Sequence, residues 1–317
     1  AVASASPSDR QDRPGRIVKV SAICIGCGGA HDAKLKLALE HLETSGAKGV
    51  DLACLPEMFA GDQKTEPISG PTVNAVAEIA RKHHMYVICP IREQDGDKVY
   101  NTAVLIDREG HTAGYYRKIF VFWAERNHAG KEGVKTFDTD FGRIAIFTCF
   151  DLNFPELWRE ADEQNVDVVF WPSAYGGGRL LNAFASLYNY AIVPVGWGNI
   201  TDQTGKTVAP MDNPRPDQYV AELNLDQTFV HLDFTHEKVK RLMEEHPGEI
   251  LLDDETYRME GWHFLKALKP GVRVRDLLPK YDIPTLREYR HLSRTLINEA
   301  REKELPISLD LPGAPKP

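Results

Sequence analysis

The sequence predicts an α/β protein with a mixed sheet. Short apolar, β-branched segments alternate with stretches of helical periodicity between residues 16 and 233, a pattern typical of strands layered against helices. The segment 107–110, Asp-Arg-Glu-Gly, lies between two predicted strands and has the composition of a hairpin turn. An all-parallel nucleotide-binding sheet has no such hairpin, so we expect some of the strands to be antiparallel.

Strands are predicted where β-branched and aromatic residues follow one another between turn-forming residues. In chain order these segments are residues 17–25, 50–55, 86–91, 100–106, 111–117, 143–148, 166–171, 192–195, 219–223 and 228–233. Segment 50–55 is apolar almost throughout, which is typical of a strand buried on both faces.

Helices are predicted where apolar residues recur three or four positions apart. The first helix has Leu35, Leu39 and Leu42 on one face and ends before Gly46. A glycine-proline pair marks the start of the second, because proline is favoured in the first turn of a helix. In chain order the predicted helices are residues 33–45, 73–84, 154–162, 179–190, 236–245 and 286–303.

Composition and charge exclude several classes of protein. Apolar residues make up 42% of the 317 residues, which is enough for a full hydrophobic core and excludes a disordered chain or a small disulfide scaffold. The net charge is −8 and no basic stripe is present, so nucleic acid is not expected as a partner. No apolar run approaches the ~18 residues that a membrane span needs.

We divide the chain into three segments. Residues 16–235 contain all the predicted strands and form one expected domain, preceded by a flexible N-terminal segment, residues 1–15. Residues 236–317 are rich in charged helix formers and are expected to form a C-terminal helical extension.

The helical extension carries an apolar face that we expect to pack across a subunit boundary, or alternatively on its own domain. Its residues are Trp262, Phe264, Leu265 and Leu268. At the other end of the chain, the small residues 1–6 resemble the mature side of a signal-peptide cleavage site, so export is one possibility and a trimmed expression product is another.

Glycine and cysteine patterns near the N terminus favour no cofactor site. In residues 26–29, Gly-Cys-Gly-Gly, the third glycine position of a dinucleotide fingerprint is occupied by His31. Cys24 and Cys27 have the spacing of a redox or zinc pair, but no second pair follows. The cysteines number five, an odd count that favours free thiols over a disulfide framework.

Cys149 is the strongest candidate nucleophile. It follows the apolar strand 143–148 and precedes a helix that begins near Phe154-Pro155. A thiol on a sharp strand-to-helix turn lies at the carboxyl edge of a sheet, where free backbone N–H groups can face an oxyanion.

Two charged residues are placed in a similar way. Glu57 directly follows the buried strand 50–55, and Pro56 prevents that strand from continuing. Lys118 follows the strand 111–117 and has apolar neighbours. Either residue alone would be interpreted as a surface or salt-bridged group at a strand end, but together with Cys149 they indicate a catalytic site.

The segments around these three residues resemble the motifs of the carbon–nitrogen hydrolase (nitrilase) superfamily. They are Leu55-Pro56-Glu57, Tyr116-Arg117-Lys118, Phe147-Thr148-Cys149-Phe150-Asp151 and Asn153-Phe154-Pro155-Glu156. The resemblance implies an α-β-β-α sandwich, a Glu57-Lys118-Cys149 triad, a homodimer or larger homo-oligomer, and a cytoplasmic location. It also implies a second glutamate beside the lysine, for which Glu125 is the match and Glu132 the rival.

Side-chain chemistry then suggests a mechanism without a metal or organic cofactor. A free thiol has a pKa near ~8.5, so Cys149 needs a base, and Glu57 is the candidate. The ammonium of Lys118 and the backbone N–H of Phe150 are expected to stabilise the oxyanion, and Glu125 to order the hydrolytic water.

The expected substrate is a small amide. In the superfamily, nitrile hydrolysers tend to show Cys-Trp-Glu, whereas the Phe150-Asp151 pair after the cysteine resembles the amidase-type branches. Carbamoyl hydrolysers tend to place arginines just beyond the cysteine, and this chain has leucine and asparagine there. An N-carbamoyl hydrolase or nitrilase remains an alternative, as do an acyltransferase and a catalytically idle member. The expected substrate pocket is lined by Trp123, Asn153, Trp171 and Tyr175.

Overall fold

The computed structural model describes residues 12–26, 29–61, 64–211, 216–310 and 312–315. The chain forms two compact units, one built from residues 18–223 and the other from residues 224 onward together with the described residues before 18. The second unit therefore begins at Asn224, before the predicted boundary at 235/236. Cys27 and most of the predicted segment 1–15 lie outside the described residues.

Among its described residues, the first unit contains two six-stranded sheets and four α-helices. The strands are β1 (Ile17–Ile23), β2 (Leu52–Cys54), β3 (Tyr86–Asp95), β4 (Lys98–Ile106), β5 (Thr112–Arg117), β6 (Thr136–Thr139), β7 (Gly142–Ile146), β8 (Val168–Pro172), β9 (Ala191–Val195), β10 (Ile200–Thr201), β11 (Thr207–Ala209) and β12 (Gln218–Asn224). The helices are α1 (His31–Ala47), α2 (Pro71–His83), α3 (Pro155–Glu163) and α4 (Arg179–Tyr188).

Both sheets are mixed, as the sequence predicts. In the first, of order β12-β1-β2-β3-β4-β5, the pairs β1–β2 and β2–β3 are parallel and β3–β4 and β4–β5 antiparallel. In the second, of order β11-β10-β9-β8-β7-β6, the adjacent strands β9, β8 and β7 are parallel. The predicted hairpin between β4 and β5 is confirmed, and Gly110 adopts a positive φ of 83° in its turn.

Helices flank the two sheets, which gives the expected α-β-β-α sandwich. Side chains of α1 and α2, including Leu42 and Val76, join the strands of the first sheet in one apolar core. The amphipathic pattern of the helices explains this layering, because each helix buries one apolar face against a sheet.

The second unit is not purely helical. It contains α5 (His236–Glu245), α6 (Val274–Leu277) and α7 (Leu286–Glu302), but also β13 (Thr228–His231), β14 (Ile250–Asp253) and β15 (Trp262–Ala267), which form a sheet of order β13-β15-β14. The expectation that the segment beyond residue 235 lacks strands is therefore wrong. The two strands missed here, β14 and β15, are short: β14 has only four residues, and β15 contains Lys266, so neither shows a clear strand periodicity.

The predicted apolar face of the extension is an arrangement of strand residues, not a helical stripe. Leu265 lies on β15 and is fully buried in the core of the second unit. The rings of Trp262 and Phe264 both contact that of Phe229 within the same unit. Trp262, Phe264 and Leu265 therefore pack within their own unit. Of the four residues of the predicted apolar face, Leu268 is the one that is substantially exposed. Within the described part of the chain, no helix has the length and apolar character to cross a membrane.

Candidate active site

Cys149 lies on a tight turn between a strand and a helix. Strand β7 ends at Ile146, a short 3-10 helix spans Cys149–Asn153, and Pro155 begins α3. Cys149 has a positive φ of 49°. Residues other than glycine rarely adopt this conformation, and those that do cluster at functional sites. The residue is partly exposed, whereas Cys24, Cys54 and Cys89 are buried free thiols.

The buried carboxylate of Asp151 holds this turn. Its Oδ2 accepts hydrogen bonds from the Thr148 N–H at 2.9 Å and the Tyr116 hydroxyl at 2.8 Å, and its Oδ1 accepts from the Phe120 N–H at 2.8 Å. Burial raises the pKa of Asp151 to about 6, although these donors oppose the shift. At neutral pH the carboxylate is therefore ionised and ties the turn of Cys149 to β5 and the segment after it.

Glu57, only 4% exposed, lies beyond the carboxyl end of β2 and is held by three donors. Its Oε1 accepts from Lys118 Nζ at 3.0 Å and from Asn101 Nδ2 at 2.8 Å, and its Oε2 accepts from the backbone N–H of Ala174 at 3.0 Å. The carboxylate also acts on the thiol of Cys149, whose pKa it raises. Glu57 is thus paired with one predicted triad member, Lys118, and acts electrostatically on the other.

Lys118 is fully buried and forms two ion pairs. Its Nζ lies 3.0 Å from Glu57 Oε1 and 2.5 Å from Glu125 Oε1. Burial by itself would lower the pKa of the ammonium, but the negative charges of Glu57 and Glu125 raise it above its usual value. The lysine therefore remains a fixed cation at the site.

The geometry distinguishes the two candidates for the second glutamate. Glu125 accepts from Lys118 Nζ and, through Oε2, from Asn101 Nδ2 at 3.1 Å. Glu132 instead lies 3.6 Å from a guanidinium nitrogen of Arg117. The structure thus brings Glu125, not Glu132, to the lysine of the site.

The Cys149 thiol needs a base to become a nucleophile here. Burial and the adjacent Glu57 carboxylate raise the pKa of the thiol to about 12, and Lys118 offsets only part of this rise. At neutral pH the thiol is therefore protonated, and attack requires transfer of its proton to a neighbouring acceptor. Glu57 is within reach to accept that proton.

The backbone N–H of Phe150 is available for an oxyanion. It donates to no group among the described residues, although the next N–H along, that of Asp151, donates to the Thr148 carbonyl. The Phe150 ring makes an edge contact with Phe122 at a centroid distance of 5.5 Å. A free N–H directly after the nucleophile and a nearby ammonium form the donor pair that acyl transfer chemistry uses.

The expected pocket residues have different positions. The Nε1 of the buried Trp171 donates to the Cys149 carbonyl at 3.1 Å, and the hydroxyl of the partly exposed Tyr175 donates to the same oxygen at 3.3 Å. Asn153 donates to the Phe150 carbonyl at 3.1 Å and to the Tyr175 hydroxyl at 3.4 Å. These three residues therefore brace the turn of Cys149.

Trp123 is placed differently from the other expected pocket residues. Its side chain is 90% exposed and has no hydrogen bond or ring contact with the part of the chain that the structure describes. The structure gives no support for a role of Trp123 in lining the pocket.

Sequence reasoning missed three contributors to the site. Asn101 contacts both glutamates, Asp151 holds the turn of the nucleophile, and the Ala174 N–H fixes Glu57. For Asn101 a signal was present, since an asparagine interrupts the predicted strand 100–106. A polar side chain inside such a strand needs buried partners.

Comparisons with known proteins identify relatives of this chain. Residues 28–185 match the sequence model of the carbon-nitrogen hydrolase family. A β-ureidopropionase of Arabidopsis thaliana is 28% identical over 160 residues, which are 43% of this chain and 38% of that protein. A nitrilase of Pyrococcus abyssi is 29% identical over 155 residues, which are 45% of this chain and 59% of that protein. This chain thus spans less than two thirds of the length of these relatives.

Solved structures share the fold at low sequence identity. The NitFhit protein of C. elegans has a TM-score of 0.60 and 21% identity, with coverage of 74% of this chain and 64% of that one. An amidase from Nesterenkonia sp. has a TM-score of 0.60 and 17% identity, with coverage of 74% of this chain and 97% of that one.

Proposed function

Because this chain belongs to the carbon–nitrogen hydrolase superfamily, we propose that it is a cysteine-dependent amidohydrolase acting on a small, non-peptide amide. The observation that carries the proposal is the position of the Glu57 carboxylate, which binds the ammonium of Lys118 at 3.0 Å and acts on the thiol of Cys149, whose pKa it raises. A carboxylate base, a thiol and a cation are the groups that acyl transfer through a thioester requires.

In the first half of the reaction, Glu57 accepts the thiol proton while the Cys149 sulfur bonds to the amide carbonyl carbon. The electron pair of the C=O bond moves to oxygen, where the Lys118 ammonium and the Phe150 N–H stabilise the charge. When the tetrahedral intermediate collapses, the C–N bond breaks and Glu57 returns the proton to the departing nitrogen. Ammonia or an amine leaves, and the acyl group remains on sulfur.

In the second half, water attacks the thioester carbonyl and gives a proton to Glu57. Glu125, which shares Lys118 with Glu57, orders this water. The C–S bond then breaks, the sulfur recovers a proton from Glu57, and the carboxylic acid is released.

The turn after the nucleophile favours an uncharged amide over a ureido acid. Leu152 and Asn153 follow Cys149-Phe150-Asp151, so this turn offers no guanidinium to a substrate carboxylate. A structure of a variant of the Nesterenkonia sp. AN1 amidase has acrylamide added to its active-site cysteine. Ureido acids are the second candidate class because relatives named β-ureidopropionase and N-carbamoylputrescine amidase are similar in sequence.

Intact-mass measurement after mixing with primary amides, ureido acids and nitriles tests this proposal. We expect a transient acyl adduct and ammonia release with an amide, both lost in Cys149→Ala and kept in Cys89→Ala, which changes a buried thiol. Absence of adduct and of ammonia with every compound would show that the proposed activity is wrong. Acyl transfer to an added amine in preference to water would identify an acyltransferase.

We also propose that the protein assembles as a homodimer or larger homo-oligomer. Leu180 and Leu187, seven positions apart on α4, are 41% and 50% exposed and lie on one side of the helix. Exposed apolar side chains on one helix face are typical of an interface. Sedimentation of Leu187→Asp against the parent protein tests this, and equal masses corresponding to a single chain in both would contradict it.

A further inference from the structure

Asn101 lies between the two glutamates of the site. It is 1% exposed and lies on β4, where the register with β5 places it opposite Lys118, whose N–H donates to the Asn101 carbonyl at 2.9 Å. Its side-chain Nδ2 donates to Glu57 Oε1 at 2.8 Å and to Glu125 Oε2 at 3.1 Å. One amide group therefore uses both of its hydrogens on two carboxylates.

The chemistry of the partners fixes the orientation of this amide. An ionised carboxylate only accepts hydrogen bonds, so the NH₂ of Asn101, not its oxygen, must face Glu57 and Glu125. The Oδ1 of Asn101 is buried and has no hydrogen-bond partner among the described residues. The side chain thus uses both donors and leaves its buried acceptor unsatisfied. Because an unsatisfied buried acceptor is costly, we interpret the two donated hydrogen bonds as the structural role of this residue.

The two carboxylates share the cation of Lys118, and Asn101 adds one neutral donor to each of them. Lys118 Nζ contacts Oε1 of both glutamates, and the Asn101 amide contacts Glu57 on that same oxygen and Glu125 on the other one. The donors of Asn101 therefore offset negative charge that would otherwise act on Cys149, whose thiol pKa the Glu57 carboxylate already raises.

We infer that Asn101 is a positioning residue that keeps Glu57 oriented and electrostatically balanced so that it can accept the Cys149 proton. The inference rests on the proposed function for the role of Glu57 as the base. Asn101 acts through Glu57 and not on the substrate. Its removal should therefore lower kcat, leave KM nearly unchanged, and have little further effect once Glu57 is replaced.

The test compares Asn101→Leu, which has similar volume and no donors, with Asn101→Asp, which keeps the shape but replaces the donors with acceptors. We expect kcat for an amide to fall by about tenfold in Asn101→Leu, through loss of the charge-assisted hydrogen bond to Glu57, and further in Asn101→Asp. Asn74→Leu, on the exposed side of α2, is the matched control and should leave kcat unchanged. If Asn101→Leu does not fold, Asn101→Asp decides the kinetic result.

A substrate-free measurement separates this inference from the proposed function. The rate of Cys149 alkylation by iodoacetamide should fall in Asn101→Asp by about threefold or more, because uncompensated negative charge disfavours the thiolate. In a Glu57→Gln background the Asn101→Leu change should alter this rate less than about twofold, since its effect passes through Glu57. An unchanged alkylation rate in both Asn101→Leu and Asn101→Asp would overturn the inference even if amides are hydrolysed. So would an equal effect of Asn101→Leu on this rate in the parent protein and in Glu57→Gln.

Discussion

The hydroxyl of Tyr116 donates to the buried carboxylate of Asp151 at 2.8 Å. Tyr116 lies on β5, two residues before Lys118, and Asp151 lies two residues after Cys149. This hydrogen bond connects the strand that precedes Lys118 to the turn that carries Cys149. The Phe120 N–H, just after Lys118, donates to the same carboxylate and makes a second connection.

Replacement of Asp151 tests that connection. In Asp151→Asn one oxygen acceptor becomes a donor that faces the donors now paired with the carboxylate, which leaves a buried group unsatisfied at a cost of ~1–3 kcal/mol. We expect a lower Tm and a kcat reduced by about tenfold through misplacement of the nucleophile. Asp138→Asn, at an exposed carboxylate, is the control. Normal kcat and Tm in Asp151→Asn would contradict this role.

Lys118→Met should lower kcat by ~10²-fold or more, because the charge at the oxyanion is lost while the side-chain length is kept. It also leaves Glu57 and Glu125 without their shared cation, so the variant should unfold at a lower temperature. The double variant Lys118→Met/Glu125→Gln should regain stability but not activity. An effect confined to KM would instead assign the lysine to substrate binding. Steady-state kinetics and thermal unfolding measure both effects.

Glu125 and Glu132, the two candidates for the second glutamate, can be compared through the same substitution. Glu125→Gln removes a carboxylate from the buried lysine and should reduce kcat by roughly tenfold. Glu132→Gln changes a residue near Arg117 and should leave kcat within about twofold of the parent. Kinetics of the two variants under identical conditions check this, and the opposite ranking would assign the second glutamate to Glu132.

His263 should make the stability of the protein depend on pH. It is 3% exposed, neither ring nitrogen has a hydrogen-bond partner among the described residues, and burial lowers its pKa despite the opposing charge of Asp254. An unfolded chain, with a histidine pKa near ~6.5, then binds the proton more readily than the folded one, so stability is present above that pH and is lost as the pH falls.

The matched variants for this effect are His263→Leu and His111→Leu, the second at a largely exposed histidine. Thermal unfolding between about pH 7.5 and 5.5 should show a fall in Tm on acidification for the parent and for His111→Leu. The fall should be smaller in His263→Leu. An identical pH dependence in all three proteins would exclude His263 as its source.

The sequence alone determined the layered α/β architecture of the first unit, because strand and helix periodicity are local and each predicted element there is present in the structure. It also predicted a catalytic site of Glu57, Lys118 and Cys149, since all three follow predicted strands in recognisable motifs. Local patterns did not reveal β14 and β15, whose residues become strand-like only through pairing with each other and with β13.

Only the tertiary structure decided which side chains support the site. Asn101 reaches Glu57 across 44 positions of sequence, and Asp151 reaches Tyr116 across 35. Such contacts depend on strand register and on the packing of separate segments, which no local pattern encodes. The choice of Glu125 over Glu132 was decided in the same way, because two glutamates in one loop differ only in which of them the chain brings to the buried ammonium of Lys118.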